Sequence, residues 1–384
     1  MSFQPFSVIN IPSEEHFTSL VRKVFSSGRL TNNGAAVREL EARLADYLGV
    51  EYLVLTSSGT LALQIAYRAL ELTGEVITTP FSWVTTVSSL LWVGLRPRFV
   101  DIDAHTFNIS PAHIGAAVTP SSSAVLAVHT FGNPADVHAI EAEARRHGLR
   151  TIYDAAHAFG TTYDGRSIVS YGDASILSLH ATKLFHTVEG GAVILKERAA
   201  YERARIAVNN GLGGNGEVQG LGINGRLSEL HAIMGLALLD DIDGVIRDRR
   251  LAAEYLRAFL LANSSVRVQQ LNARGSTNHG YMPLVFHDRE TRDRTITALT
   301  KAGFVPRTYF DTALNRLPFT LDVVAMPVTE SLTERILCLP LRIGIATAEL
   351  DVMGRIIADA CPMHLCPADS CDVDAAMHIT ASGA

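Results

Sequence analysis

The sequence predicts an α/β protein with a large domain on a mostly parallel sheet and a smaller C-terminal α/β domain. Three observations carry this. Short, strongly apolar segments, the pattern of strands buried on both faces, alternate in several places with helix-period segments. The chain has 384 residues, more than one small core accommodates. Ser58, Trp83, Asp154 and Lys183 all fall just past the ends of apolar segments, where open α/β sheets bind ligands.

The elements follow in order. Residues 13–27 read as an amphipathic helix, with Phe17, Leu20, Val21 and Val24 at three- to four-residue spacing. Gly28 to Gly34 is turn chemistry, and a helix over 37–48 is stopped by Gly49. Residues 52–55 form a buried strand that runs through Thr56-Ser-Ser-Gly-Thr60 into a helix over 61–70. Strand, Ser/Gly-rich turn and helix N-terminus together offer backbone N–H groups and a positive dipole end to a phosphate. The turn lacks the glycines and lysine of a Walker loop or a dinucleotide fingerprint, and its Ser and Thr serve equally as ordinary N-caps.

A strand is expected over 75–79, a loop over 80–83 and a helix over 84–93. Strands over 98–103 and 124–129, a helix over 135–147, and strands over 149–154, 174–179 and 191–195 continue the alternation. Asn209–Gly216 and Gly220–Arg226 are too glycine-rich for a regular element and read as an exposed, mobile loop. Residues 227–261 are helical in pattern, with a break expected near Asp243-Gly244. A strand near Val266, a strand over 281–286 and helices over 291–302 and 347–360 make the smaller domain. The expected division is 1–240 for the large domain, 241–361 for the small one and a frayed tail over 362–384.

Composition narrows the function. Hydrophobic residues are 47% and charged ones 19%, as in a soluble globular enzyme. A net charge of −6 argues against nucleic-acid and anionic-membrane partners, which need a basic face. No basic-plus-apolar N-terminal signal and no bilayer-length apolar run is present. Only four cysteines occur, so a reducing cytoplasm is the expected location. Cys361, His364, Cys366 and Cys371 fit no zinc spacing, and no metal is expected.

The strand ends suggest one ligand. A phosphate fits Ser58-Gly59-Thr60, and a flat ring fits under Trp83, which read alone is also a core tryptophan. Asp154 suits a protonated ring nitrogen through a charge-assisted hydrogen bond, or simply caps the next turn. Lys183, an expensive residue to bury unless it has a task, can form an imine with an aldehyde. Phosphate, aromatic ring, basic ring nitrogen and aldehyde together describe pyridoxal 5′-phosphate.

These residues lie in longer motifs. Ser57-Ser-Gly-Thr-Leu-Ala-Leu63, Phe81-Ser-Trp-Val-Thr-Thr86, Phe99-Val-Asp-Ile-Asp103, Asp154-Ala-Ala-His-Ala-Phe-Gly160, Ser178-Leu-His-Ala-Thr-Lys183, Glu189-Gly-Gly191, Gly222-Ile-Asn-Gly-Arg-Leu-Ser-Glu-Leu230 and Cys338-Leu-Pro-Leu341 occur in this order. The ordered set resembles the DegT/StrS family of sugar aminotransferases over nearly the whole chain up to about residue 360.

The resemblance implies a fold-type I, aspartate-aminotransferase-like enzyme, usually a homodimer with sites at the subunit interface. It makes Lys183 the Schiff-base lysine, Asp154 the partner of the pyridinium nitrogen and Trp83 the stacking aromatic. Ser178 joins Ser58, Gly59 and Thr60 around the phosphate, and Asn224 reaches the neighbouring subunit's cofactor phosphate. His157 stands near the cofactor's 3′-oxygen where many relatives have glutamine; a half-buried histidine bonded to backbone is the other reading. Retention of Lys183, which dehydratase members replace by histidine, favours transamination from L-glutamate to a nucleotide-sugar ketone. The run His180-Ala-Thr-Lys-Leu-Phe-His-Thr-Val-Glu-Gly-Gly191 resembles the branch acting at C4 of dTDP-4-keto-6-deoxyglucose, for deoxyaminosugars of antibiotics or surface polysaccharides. Members acting at C3 or on cyclitol ketones share most other blocks, and a non-catalytic protein on the same fold would have no need of the lysine. Arg307 and Tyr309 lie where the family carries substrate-side residues, Arg307 facing either the diphosphate or solvent.

Overall fold

Strand pairing explains why the strand ends meet. The structure, a computed structural model, describes residues 9–320 and 324–363. Helices α1 (Glu14–Ser27) and α2 (Ala35–Leu48) open the chain, each closed by a glycine in the left-handed region, Gly28 and Gly49. Then follow β1 (Tyr52–Thr56), α3 (Gly59–Ala69), β2 (Glu75–Thr78), α4 (Thr85–Trp92), β3 (Arg96–Phe99) and the single turn α5 (Ile114–Ala117). Next come β4 (Ser122–Val128), α6 (Val137–Arg146), β5 (Arg150–Asp154), the small hairpin β6 (Thr162–Tyr163) and β7 (Arg166–Ser167), β8 (Ala174–Ser178), β9 (Gly191–Leu195) and α7 (Arg198–Val208). Helices α8 (Glu229–Leu239) and α9 (Ile242–Asn263) lead to β10 (Arg267–Val268), β11 (Met282–Val285), α10 (Arg289–Lys301), α11 (Pro327–Arg335), β12 (Ile336–Leu339) and α12 (Thr347–Ala360).

The large sheet has seven strands in the order β1-β9-β8-β5-β4-β2-β3. Only β9 is antiparallel to its neighbours. The carboxyl ends of β1, β2, β4, β5 and β8 therefore share one edge, and Ser58, Trp83, Asp154 and Ser178 arrive there together. Two apolar cores cover the sheet, one including α2 and α8, the other α3 and α7. The small antiparallel sheet β10-β11-β12 has its own core with α9, α10 and α12. A fourth cluster spans both units, joining Phe81, Phe107 and Phe131 to Val285, Phe310 and Ile336. Among the described residues no helix is long and apolar enough to cross a membrane.

Four details differ from the sequence expectation. The strand expected over 98–103 is Arg96–Phe99. Val100 and Ile102 lie past the end of that strand and are buried, Ile102 in an isolated bridge to Ile109. The helix break falls at Asp240-Asp241, with Asp243 and Gly244 inside the first turn of α9, where the helix dipole favours an acid. The glycine-rich stretch folds back on itself through the bridges Asn209–Asn224 and Leu212–Val218. A Cβ on Gly222 would lie 2.0 Å from the Gly211 nitrogen, so glycine there serves close backbone approach. Helices α7 and α11 and strand β12 had no place in the sequence reading. His364, Cys366, Cys371 and the tail from residue 364 lie outside the described residues.

Candidate active site

Close packing of three strand ends shapes the first part of the site. Ser58 is the N-cap of α3, its hydroxyl accepting the Leu61 N–H at 3.2 Å. The capping alternative for this turn is therefore realised, and the first-turn N–H groups of Gly59 and Thr60 still lack intrahelical partners. A Cβ on Gly59 would sit 2.9 Å from the Ser178 Cβ, and one on Gly191 would sit 2.5 Å from the Ser58 carbonyl oxygen. Glycine at both positions lets β1, β8 and β9 converge on a small polar cradle.

The cradle opens into a cavity of about 370 Å³ lined by Ser58, Gly59, Thr60, Trp83, Asp154, His157, Ser178, Lys183, Arg307 and Tyr309. Ten of the eleven site residues read from the sequence meet there. Asn224 is the exception: it is exposed, and its side-chain oxygen accepts from Arg226 at 3.0 Å. Trp83 is 57% exposed and meets the Tyr309 ring edge-on, which removes the core-tryptophan alternative. His180, Thr182 and Glu189 also line the cavity. His186 does not; it is buried and bonds to the Asn10 carbonyl at 2.7 Å. In the run that resembles the C4 branch, both ends thus face the cavity and the middle, around His186, is structural.

Electrostatics are set by burial. Asp154 is buried, and its carboxylate accepts the Ala156 N–H at 3.0 Å. Burial pushes its pKa up, while that hydrogen bond and the Lys183 charge pull it down. Burial lowers Lys183 below the ordinary lysine range, against the pull of Asp154 and Tyr309. Burial also holds His157 well below its usual value, with Lys183 adding to the effect. The His157 Nδ1 accepts the Phe131 N–H at 3.4 Å, which leaves the ring hydrogen on Nε2.

Tyr281 escaped the sequence reading. It immediately precedes β11 and accepts a hydrogen bond from Lys183 Nζ at 3.2 Å, its ring 4.4 Å from that of His157. A tyrosine entering an apolar strand carries no signal that separates it from the core.

The donor set fits pyridoxal phosphate: a glycine-relieved polar cradle for a phosphate, a buried carboxylate that burial destabilises unless a cation faces it, and a lysine whose pKa burial lowers. Sheet, strand-end lysine and the cavity beside it suit an aminotransferase. DesI, solved in the presence of its TDP-sugar product, superposes with a TM-score of 0.85 at 35% identity, covering 94% of this chain and 92% of DesI. CalS13, a sugar aminotransferase from Micromonospora echinospora, gives 0.87 at 25% identity over 92% and 99%. The chain belongs to the DegT/DnrJ/EryC1/StrS aminotransferase family, whose model matches residues 12–357. The dTDP-4-amino-4,6-dideoxy-D-glucose transaminase of Shigella dysenteriae is 35% identical over 354 residues, 91% of this chain and 96% of that protein. Its namesake in Escherichia coli is 34% identical over 345 residues, 88% and 93%.

Proposed function

We propose that this enzyme transfers the amino group of L-glutamate to C4 of dTDP-4-keto-6-deoxy-D-glucose, giving dTDP-4-amino-4,6-dideoxy-D-glucose for deoxyaminosugar biosynthesis. The observation that carries the reading is the meeting of Lys183, Asp154 and the Ser58–Ser178 cradle in one cavity of a chain about a third identical to transaminases of that name. The enzyme works in the cytoplasm as a homodimer.

Ser58, Gly59, Thr60 and Ser178 would hold the phosphate of pyridoxal 5′-phosphate, Asp154 its ring nitrogen, Trp83 its ring face, His157 its ring oxygen and Lys183 its aldehyde. Asn224, exposed and outside its own cavity, would serve the phosphate site of a second copy. Bound there, the group supplies an aldehyde that takes up amines and a ring that delocalises the electron pair left on deprotonation.

The chain supplies the rest. Lys183 Nζ, its pKa lowered by burial, would take a proton from the donor's Cα and deliver it two atoms away, to the carbon on the other side of the donor nitrogen, which needs the neutral amine. Tyr281 holds that amine by accepting from it. Asp154 pairs with a positive ring, and the ring charge in turn keeps the buried carboxylate ionised. His157, neutral and with its hydrogen on Nε2, donates without adding charge. Arg307 and Tyr309, which line the cavity, would face the substrate.

Incubation with L-glutamate and, separately, 4-keto and 3-keto dTDP-hexoses, with NMR identification of the products, tests the reading. Amination at C4 is expected; amination of the 3-keto sugar alone overturns it.

A further inference from the structure

A second, smaller cavity of about 40 Å³ adjoins the first and shares Lys183 with it; it is lined by His157, Thr182, Lys183, Tyr281, Arg307 and Arg249. Arg249 projects from α9 and is only 6% exposed. Its Nη1 donates to the Leu341 carbonyl at 2.9 Å and to the Gly280 carbonyl at 3.5 Å. Its Nε is buried without a hydrogen-bond partner, and among the described residues it forms no salt bridge. Buried arginines are ordinarily paired with a carboxylate, because a buried cation with only neutral oxygens around it is under-compensated. Burial accordingly lowers the Arg249 pKa, and Tyr281, whose hydroxyl holds Lys183, opposes the shift. The guanidinium stays protonated and awaits an anion.

Size and geometry select the anion. A water needs about 10–15 Å³ of such space, so this cavity has room for a group of about three heavy atoms. A carboxylate fits, and a diphosphate does not. A planar fork of N–H donors is the natural complement of a carboxylate.

We propose that Arg249 binds a carboxylate of the amino donor and so holds the dicarboxylate beside Lys183, the sugar nucleotide reacting there in its turn without using Arg249. This rests on the aminotransferase reading in requiring a carboxylate-bearing donor, but not on which sugar is aminated. Binding the donor's carboxylate there would place its nitrogen and Cα at the lysine, the atom that must move the proton. Ordering of Arg249 by its two carbonyl contacts then fixes the donor's orientation.

Glutarate, a dicarboxylate that cannot react, and dTDP are titrated calorimetrically into the holoenzyme, into R249K and into R249M, with KM measured for L-glutamate and for the sugar. For R249M a loss of glutarate affinity and a rise in glutamate KM of at least about tenfold are expected, with dTDP affinity and sugar KM within about twofold of wild type. R249K, keeping charge but not the fork, should fall between. Unchanged glutarate affinity in R249M overturns the inference even where the amino sugar is made normally. Loss of dTDP affinity in its place reassigns Arg249 to the nucleotide and also overturns it. Arginine-dependent glutarate binding in an enzyme that makes no C4 amino sugar upholds this inference and defeats the sugar assignment alone. Wild-type protein that ignores glutarate overturns it outright. If neither variant folds, a crystal structure of the wild-type holoenzyme with glutarate decides: a carboxylate about 3 Å from the Arg249 guanidinium supports the subsite, and glutarate bound elsewhere overturns it.

Discussion

Lys183 Nζ donates to the Tyr281 hydroxyl across 3.2 Å, and this contact joins the two sheets at the centre of the site. The lysine follows β8 of the large sheet, and the tyrosine immediately precedes β11 of the small one. Donation to the hydroxyl favours the charged lysine, while burial disfavours it. Replacing Tyr281 by Phe removes the acceptor and leaves only Asp154 and Tyr309 to oppose burial, so the lysine pKa falls further. The acidic limb of the kcat–pH profile should then move to lower pH, and kcat should fall about tenfold through poorer placement of the amine. A profile that stays in place would show the contact to be incidental.

Asp154 is expected to matter more to rate than to cofactor retention. D154N keeps the shape and the Ala156 hydrogen bond but removes the charge opposite the ring nitrogen. We expect kcat to fall by about 10²-fold or more, with a smaller change in cofactor affinity. Single-turnover kinetics beside a cofactor titration would check this; equal losses in both would refute the assigned role.

The cradle can be probed through its glycines. G59A puts a methyl 2.9 Å from the Ser178 Cβ, whereas nothing lies within 4 Å of the site where a Cβ would stand on Gly214. G59A should weaken pyridoxal phosphate binding by about tenfold or more, and G214A should leave it unchanged. Comparable affinities in the two variants would mean that the β1–β8 approach does not shape the phosphate site.

A pH effect on stability follows from His129. Its ring is wholly buried, stacks on Tyr153, and accepts the Ala135 N–H through Nδ1. Burial lowers its pKa from 6.5 to about 3. The unfolded chain takes up a proton below 6.5 that the folded chain refuses until about 3, so this contribution is intact above 6.5 and is lost as pH falls toward 3. Denaturant unfolding of the wild type should lose up to about 1.4 kcal/mol per pH unit more across that window than H129Q. Parallel slopes for the two proteins would rule His129 out as the source.

Much of this was legible before any coordinates. Apolar segments and turn glycines located most strands and helices, since strand burial and helix periodicity leave local marks. Motif order named Ser58, Asp154, Ser178 and Lys183, and strand ends of a parallel sheet had to converge. The pairing that leaves only β9 antiparallel, the glycine contacts that bring β1 to β8, and the separation of His180 from His186 depend on tertiary packing. Tyr281 and Arg249 were invisible for the same reason. A tyrosine beside an apolar strand and an arginine on a helix look like many others until packing sets Tyr281 against Lys183 and brings Arg249 to a cavity that both share. Local chemistry and motif order determined which groups are proposed to react in this protein. The fold alone decided which groups from distant segments would touch the lysine, because burial and contact are properties of the packed chain.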